Sequence, residues 1–153
     1  MSTASNEQQP QAQEKTHFDL HVTGIGYLGR IREIKPRKGD PFWACAVNAM
    51  HGEIADPDYT RFDLIIRGDK ARQRVLFLKD AVDAKKTVVV AFKAGDIYPE
   101  AFEYQDGPRK GEVGVVIKGR LLQLGATKIE GFPVLWDEVG IPDDPAYDLR
   151  KTA

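Results

Sequence analysis

Residues 59–84 read YTRFDLIIRGDKARQRVLFLKDAVDA, and a change of rhythm inside this stretch decides the fold class. Up to Arg67 the chain alternates. Thr60, Phe62, Leu64 and Ile66 share one face, and Tyr59, Arg61, Asp63, Ile65 and Arg67 share the other. A period of two is a strand with one buried face. Gly68 ends it. From Asp69 the apolar residues Ala71, Val75, Leu78 and Val82 recur at roughly helical spacing through Ala84. Asp69 reads as the N-cap and Lys85-Lys86 as the stop.

Strands lie on both sides. Upstream, Phe18, Leu20 and Val22 alternate with Asp19, His21 and Thr23, which predicts a strand burying the first set. It continues through Gly24-Ile25-Gly26-Tyr27-Leu28-Gly29, and its apolar phase then slips to Ile31 and Ile34. Glycines and a phase slip predict a bulge, as a small closed barrel requires. Lys35 to Pro41 is a turn, Phe42 to Met50 an apolar strand, and His51 to Asp58, with Gly52 and Pro57, a loop. Trp43 shares parity with Cys45 and Val47 and reads as core.

Downstream, Thr87 to Phe92 is a β-branched strand that runs on through Tyr98 and Phe102 to Tyr104, with breaks near Gly95 and Pro99. Gln105 to Gly111 is a hairpin loop and Val113 to Leu124 the returning strand. Three strands, one helix and two strands give the expected class: all-β with one helix, a five-stranded OB-fold barrel with the helix between strands 3 and 4. The expected organisation is a disordered leader over 1–16, the barrel over 17–127 and a partly mobile acidic extension over 128–153.

At 153 residues there is material for one core. No apolar run is long enough to cross a bilayer, and the polar stretch Met1 to Lys15 is not a secretory signal, so a cytoplasmic protein is expected. Cys45 is the single cysteine, which excludes an intrachain disulfide and a thiolate-rich zinc site. His17, His21 and His51 have no metal-ligand spacing. Neither a phosphate-binding Gly-rich loop nor a nucleophile elbow occurs. No enzymatic activity, metal or cofactor is expected.

The net charge is −1, but it is segregated. Arg30, Arg32, Lys35, Arg37 and Lys38 face a single acid, Glu33, in the first hairpin. Glu130, Asp137, Glu138, Asp143, Asp144 and Asp148 outnumber Arg150 and Lys151 at the other end. A basic hairpin and an acidic tail average to near zero and still act separately.

Three segments carry a family resemblance: Gly26-Tyr27-Leu28-Gly29-Arg30 in the first strand, Tyr59 to Gly68, and Tyr104-Gln105-Asp106-Gly107. In this order they resemble the bacterial single-stranded-DNA-binding proteins. They look closest to the replication proteins of integrative and conjugative elements, a family once described as a domain of unknown function. The resemblance covers about Phe18 to Leu124. It implies a non-catalytic single-strand binder with little sequence preference, and a dimer or tetramer. An acidic tail in that family recruits replication and repair proteins; here the chain ends Lys151-Thr152-Ala153 and lacks the family's tip.

Stacking rings and a cationic groove hold single strands. Tyr104 falls at a family stacking position, with Tyr98 and Phe102 on its strand. At two outward positions of the third strand, where the family has aromatics, Arg61 and Arg67 stand, and a guanidinium both stacks and pairs with phosphate. Tyr59 shares their face, and Phe42 is a lesser stacking candidate. Arg30, Arg32, Lys35, Arg37 and Lys38 supply one cationic rim. Arg109, Lys110, Lys118 and Arg120 supply another beside Tyr104. Each of these residues also has an ordinary reading as solvated surface. An OB-type protein-interaction scaffold and an RNA binder are the alternative functions.

Overall fold

A computed structural model describes residues 16–142. Its elements are β1 (His21–Ile34), β2 (Phe42–Glu53), β3 (Asp56–Ile66), α1 (Asp69–Asp83), β4 (Val88–Glu103), β5 (Val113–Ile129), β6 (Phe132–Pro133) and α2 (Trp136–Val139). The sheet order is β3-β2-β1-β4-β5-β6, and a further parallel pairing joins β3 to β5. That pairing, Phe62 with Ile117 through Ile66 with Leu121, closes five strands into a ring.

β1 makes closure possible because it serves two neighbours. Its first half, His21–Tyr27, pairs with β4, and its second, Gly26–Ile34, pairs with β2. Gly26 sits where both neighbours meet, and a Cβ there would lie 2.5 Å from the Asn48 carbonyl oxygen. The expected bulge is present between Gly29 and Arg32, with Arg30 at φ 45°. It turns Ile31 inward after Leu28 and sends Arg32 to the surface.

Leu28, Val47, Leu64, Val90, Phe92 and Leu121 fill the ring, and α1 adds Ala71, Val75 and Leu78 to the same cluster. Trp43 packs against that cluster from a half-buried position, as its parity suggested.

Several expectations need correction. Phe18 is fully exposed and Leu20 57% exposed, because pairing begins only at His21. The segment 51–58 is not a loop: His51, Gly52 and Glu53 pair with Asp58, Pro57 and Asp56, so only Ile54-Ala55 turn. Strand pairing outweighs the turn propensity of Gly52 and Pro57. The N-cap of α1 is Gly68 at φ 92°, and Asp69 is instead a first-turn acid bonded to Arg72.

The helix between strands 3 and 4 is present, and a second, one-turn helix follows the sheet. β5 runs on to Ile129, and the chain then folds back through β6 and α2. Trp136 is 6% exposed, donates from Nε1 to the Gly125 carbonyl at 3.0 Å, and meets Phe77 edge-on at 5.5 Å. Arg74, buried on α1, stacks on its ring at 4.7 Å. Arg74 also donates to the Leu124 carbonyl at 2.8 Å and to the Ile141 carbonyl at 2.6 Å. These bonds offset the desolvation of a buried charge and fix the chain as far as Ile141. The expected leader, apart from Thr16, and the acids Asp143, Asp144 and Asp148 lie outside the described residues.

Trp136→Ala should lower the unfolding free energy by about 3–5 kcal/mol through cavity formation. Phe132→Ala, at a 76% exposed position, should stay within about 0.5 kcal/mol. Urea titration of both variants checks the difference.

Candidate nucleic-acid interface

The third strand is the axis of the site. Phe62, Leu64 and Ile66 are buried, which turns Arg61, Asp63, Ile65 and Arg67 outward as the alternation predicted. Register carries that row across the ring. Asp63 lies between Ala46 on β2 and Lys118 on β5, and Lys118 in turn pairs with Tyr98 on β4. One row further along, Arg61 pairs with Asn48, and Asn48 with Tyr27.

The parity of Tyr98 was open in the sequence because of the breaks around it. Phe92 and Ala94 point into the core, so an unbroken strand would bury Tyr98 too. A register shift between Gly95 and Tyr98, with Asp96 at φ 53°, inserts one residue and reverses the phase. Tyr98 is consequently 53% exposed beside Lys118.

Phe102 follows on the same side and meets Tyr104 edge-on at 5.0 Å. Tyr104 lies just past β4 but keeps the ladder through bonds to Glu112 and Gly111, each 2.9 Å. A Cβ on Gly114 would collide with both rings, at 2.7 and 2.9 Å, so glycine lets them lie across β5. Arg109 covers one ring face of Tyr104 at 4.6 Å and donates to its hydroxyl at 3.2 Å. Tyr98 is therefore the more open stacking platform.

Tyr59 is 52% exposed and sits 6.1 Å, centroid to centroid, from Tyr27. Tyr27 was not among the expected site residues. Its alternation with the inward Gly26 and Leu28 was the available signal, obscured by the glycines around it.

The cations divide into two groups. Arg32 donates from Nη2 to both Asp63 oxygens at 2.9 and 3.2 Å, and Lys118 Nζ donates to Oδ2 at 3.0 Å. Lys118 also lies 3.9 Å from Glu100; Arg120 pairs with Asp96 at 2.7 Å and Arg109 with Glu112 at 3.1 Å. Among the described residues Arg30, Lys35, Arg37, Lys38, Arg61, Arg67 and Lys110 have no carboxylate partner. The expected basic rim is thus only partly free, since Arg32 is drawn away from it to Asp63.

These side chains surround a cleft of about 410 Å³ on the outer face. Arg32, Arg67, Lys118 and Arg120 line it with Asp63 and Asp96, and Phe42 and Tyr98 contribute rings. Burial opposes ionisation of Asp63, but the hydrogen bonds from Arg32 and Lys118 outweigh it and hold the carboxyl below its ordinary value of 3.8. Behind it, burial first and the Asp63 charge second push the Cys45 thiol up to about 12, past the opposing effect of Arg32. Among the described residues no group of His, Cys, Asp and Glu could hold a metal ion. No described helix is long and apolar enough to cross a membrane.

A family described as "Protein of unknown function (DUF3577)" matches residues 11–139. The chain belongs to that family. No curated protein matches it. Among solved structures, a mitochondrial single-stranded DNA binding protein of S. cerevisiae, Rim1, is similar at a TM-score of 0.37 and 12% identity, over 74% of this chain and 96% of that one.

The Asp63 pair sets an acid limit on stability. Its depressed carboxyl contributes stability above the ordinary value of 3.8 that is lost as pH falls through the folded value. Asp63→Asn should therefore be less stable than the parent at neutral pH, and the gap should close in acid; denaturant melts at a series of pH values check it. The Cys45 thiol should ignore a disulfide reagent at pH 8 until denaturant is added.

Proposed function

We propose that this chain binds single-stranded DNA, with little sequence preference, on the outer face of an OB-type barrel. The observation that carries the reading is one outward surface that carries exposed rings (Tyr27, Tyr59, Tyr98, Phe102) and cations that lack carboxylate partners among the described residues (Arg61, Arg67). Water-exposed aromatic rings beside fixed cations suit unpaired bases, which present flat faces, and phosphates, which present charge. Stacking on a ring does not depend on the identity of the base, so sequence preference is low. The closed ring of five strands, with α1 inserted between β3 and β4, is the arrangement expected of an OB barrel.

The finer reading rests on the resemblance of residues 26–30, 59–68 and 104–107. It makes the chain a cytoplasmic, non-catalytic homo-oligomer that serves replication or transfer of a mobile element, with replication proteins as candidate partners of the acidic tail. Lys35, Arg37 and Lys38 on the β1–β2 loop and Lys110 on the β4–β5 loop extend the phosphate path beyond the cleft.

Oligo-dT should quench the intrinsic Tyr and Trp fluorescence, and duplex DNA of equal length should compete poorly. Tyr98→Ala should cost about 1–3 kcal/mol of binding and Tyr104→Ala a loss within the same range, both with little change in folding. Affinity should fall with salt by about 0.7 log units per log unit for each phosphate contact. Charge reversal at Arg37 and Lys38 should flatten that slope. Tighter binding of RNA than of DNA would redirect the reading to RNA, and absence of quenching would leave the scaffold function.

A further inference from the structure

The cleft around Asp63 differs in kind from the rest of the face. Elsewhere on the face Arg61 stands on an open strand, and Lys35, Arg37, Lys38 and Lys110 stand on loops. Here Arg32 and Lys118, with side chains 29% and 30% exposed, converge on a carboxylate only 15% exposed. Two strands distant in sequence supply them, and a bulge in β1 is needed to bring Arg32 round. Arg67 and Arg120 complete the wall, so among the residues that line the cleft four cations oppose two carboxylates, a net of +2, with the exposed Glu100 at its edge 3.9 Å from Lys118. An internal phosphodiester carries a single negative charge and leaves half of this excess unmatched. A phosphomonoester carries about −1.5 to −2 at neutral pH and matches it. A volume of about 410 Å³ is within the ordinary range for one small ligand.

We propose that this cleft seats the phosphomonoester of one nucleotide, either free or at the phosphorylated end of a single strand, with the base laid against Tyr98. This rests on the single-strand reading and adds a strand-end site to it. Arg67 makes the first contact, since it is exposed and has no carboxylate partner among the described residues. Arg32 and Lys118 both line the cleft, and each keeps N–H donors beyond those bonded to Asp63 and to the Arg30 carbonyl. Asp63 is the positioning residue: it holds the two cations in place before the ligand arrives. Nη2 of Arg32 bonds both Asp63 oxygens and Nη1 bonds the Arg30 carbonyl at 3.1 Å, so the guanidinium is held at two points and less side-chain entropy is lost on binding.

This role has a sign that a merely electrostatic one lacks. If Asp63 only competed with the phosphate, removing its charge would tighten anion binding. As the positioning residue, its loss releases Arg32 and Lys118 and weakens binding.

The test uses the full chain and three oligo-dT strands of equal length, 5′-phosphorylated, 3′-phosphorylated and unphosphorylated, read by anisotropy. One phosphorylated strand should bind about tenfold tighter than the unphosphorylated one, as expected of charge-assisted hydrogen bonds. In parallel, dTMP should shift the backbone amide resonances of residues 63–67 and 118–120, and thymidine should do so far less. Asp63→Asn should weaken dTMP binding several-fold, and tighter binding would overturn the positioning role. Arg67→Ala, a change at an exposed side chain, should remove most of the advantage of the phosphorylated end without affecting folding. Equal affinity for all three strands, with no shift by dTMP at the cleft, overturns the inference and leaves single-strand binding intact. Failure of all three strands to bind overturns both.

Discussion

Five parallel residue pairs between β3 and β5 hold the rest in place. They join strands from opposite sides of the helix and turn an open sheet into a ring. Closure removes two sheet edges that would otherwise expose unpaired backbone groups. It also creates the outer surface on which Arg61, Asp63, Arg67, Tyr98 and Lys118 lie. Asp63 meets Lys118 and Ile65 meets Arg120 only because Phe62 pairs with Ile117 and Leu64 with Gly119. A slip of one residue in this register would turn Lys118 and Arg120 into the core and break the site along with the fold.

Closure in so small a ring demands sharp curvature, and the two bulges that supply it also deliver side chains to the cleft. In β1 the inward parity of Leu28 would carry Arg32 into the core; the extra residue at Arg30 reverses it. In β4 the inward parity of Ala94 would bury Tyr98; the extra residue at Asp96 does the same. Both inserted residues adopt positive φ, 45° and 53°, a conformation that costs a non-glycine residue roughly 1–2 kcal/mol. Asp96 then forms an ion pair with Arg120 at 2.7 Å, so one strained residue both shapes the strand and sits against a cleft cation.

This is also where the sequence was hardest to read. The alternation from Tyr59 to Arg67 is uninterrupted, and its outward and inward sets are those observed. The helix, the strand order and the bulge in β1 were legible for the same reason: each is a local period or a local break in one. The parity of Tyr98 was not, because a phase reversal depends on which residue is inserted, and that is settled by pairing with β5. The ion pairs of Arg32 and Lys118 were invisible because their partner lies 31 and 55 residues away. Gly52 and Pro57 signalled a loop where cross-strand pairing extended a hairpin. Phe18 and Leu20 kept a strand-like rhythm ahead of the paired residues of β1; the Leu20 carbonyl still accepts a bond from the Asp96 N–H at 3.1 Å, but both side chains stay exposed.

The same geometry explains how a chain of net charge −1 can present a face suited to an anion. The carboxylates on that face are not scattered competitors. Asp63 and Asp96 each sit against a cation that a phosphate would need, and each holds it in a fixed direction. Pairing of this kind lowers the positive potential seen from far away, which limits non-specific capture of any polyanion. It does less to weaken contact at close range, because an Arg or Lys bonded to one carboxylate keeps further donors for a second acceptor. On the proposed reading Arg61 and Arg67, which have no carboxylate partner among the described residues, would supply the longer-range attraction, and the paired cations the geometry. On such a surface, affinity for an anion depends more on where its charges lie than on how many the protein carries.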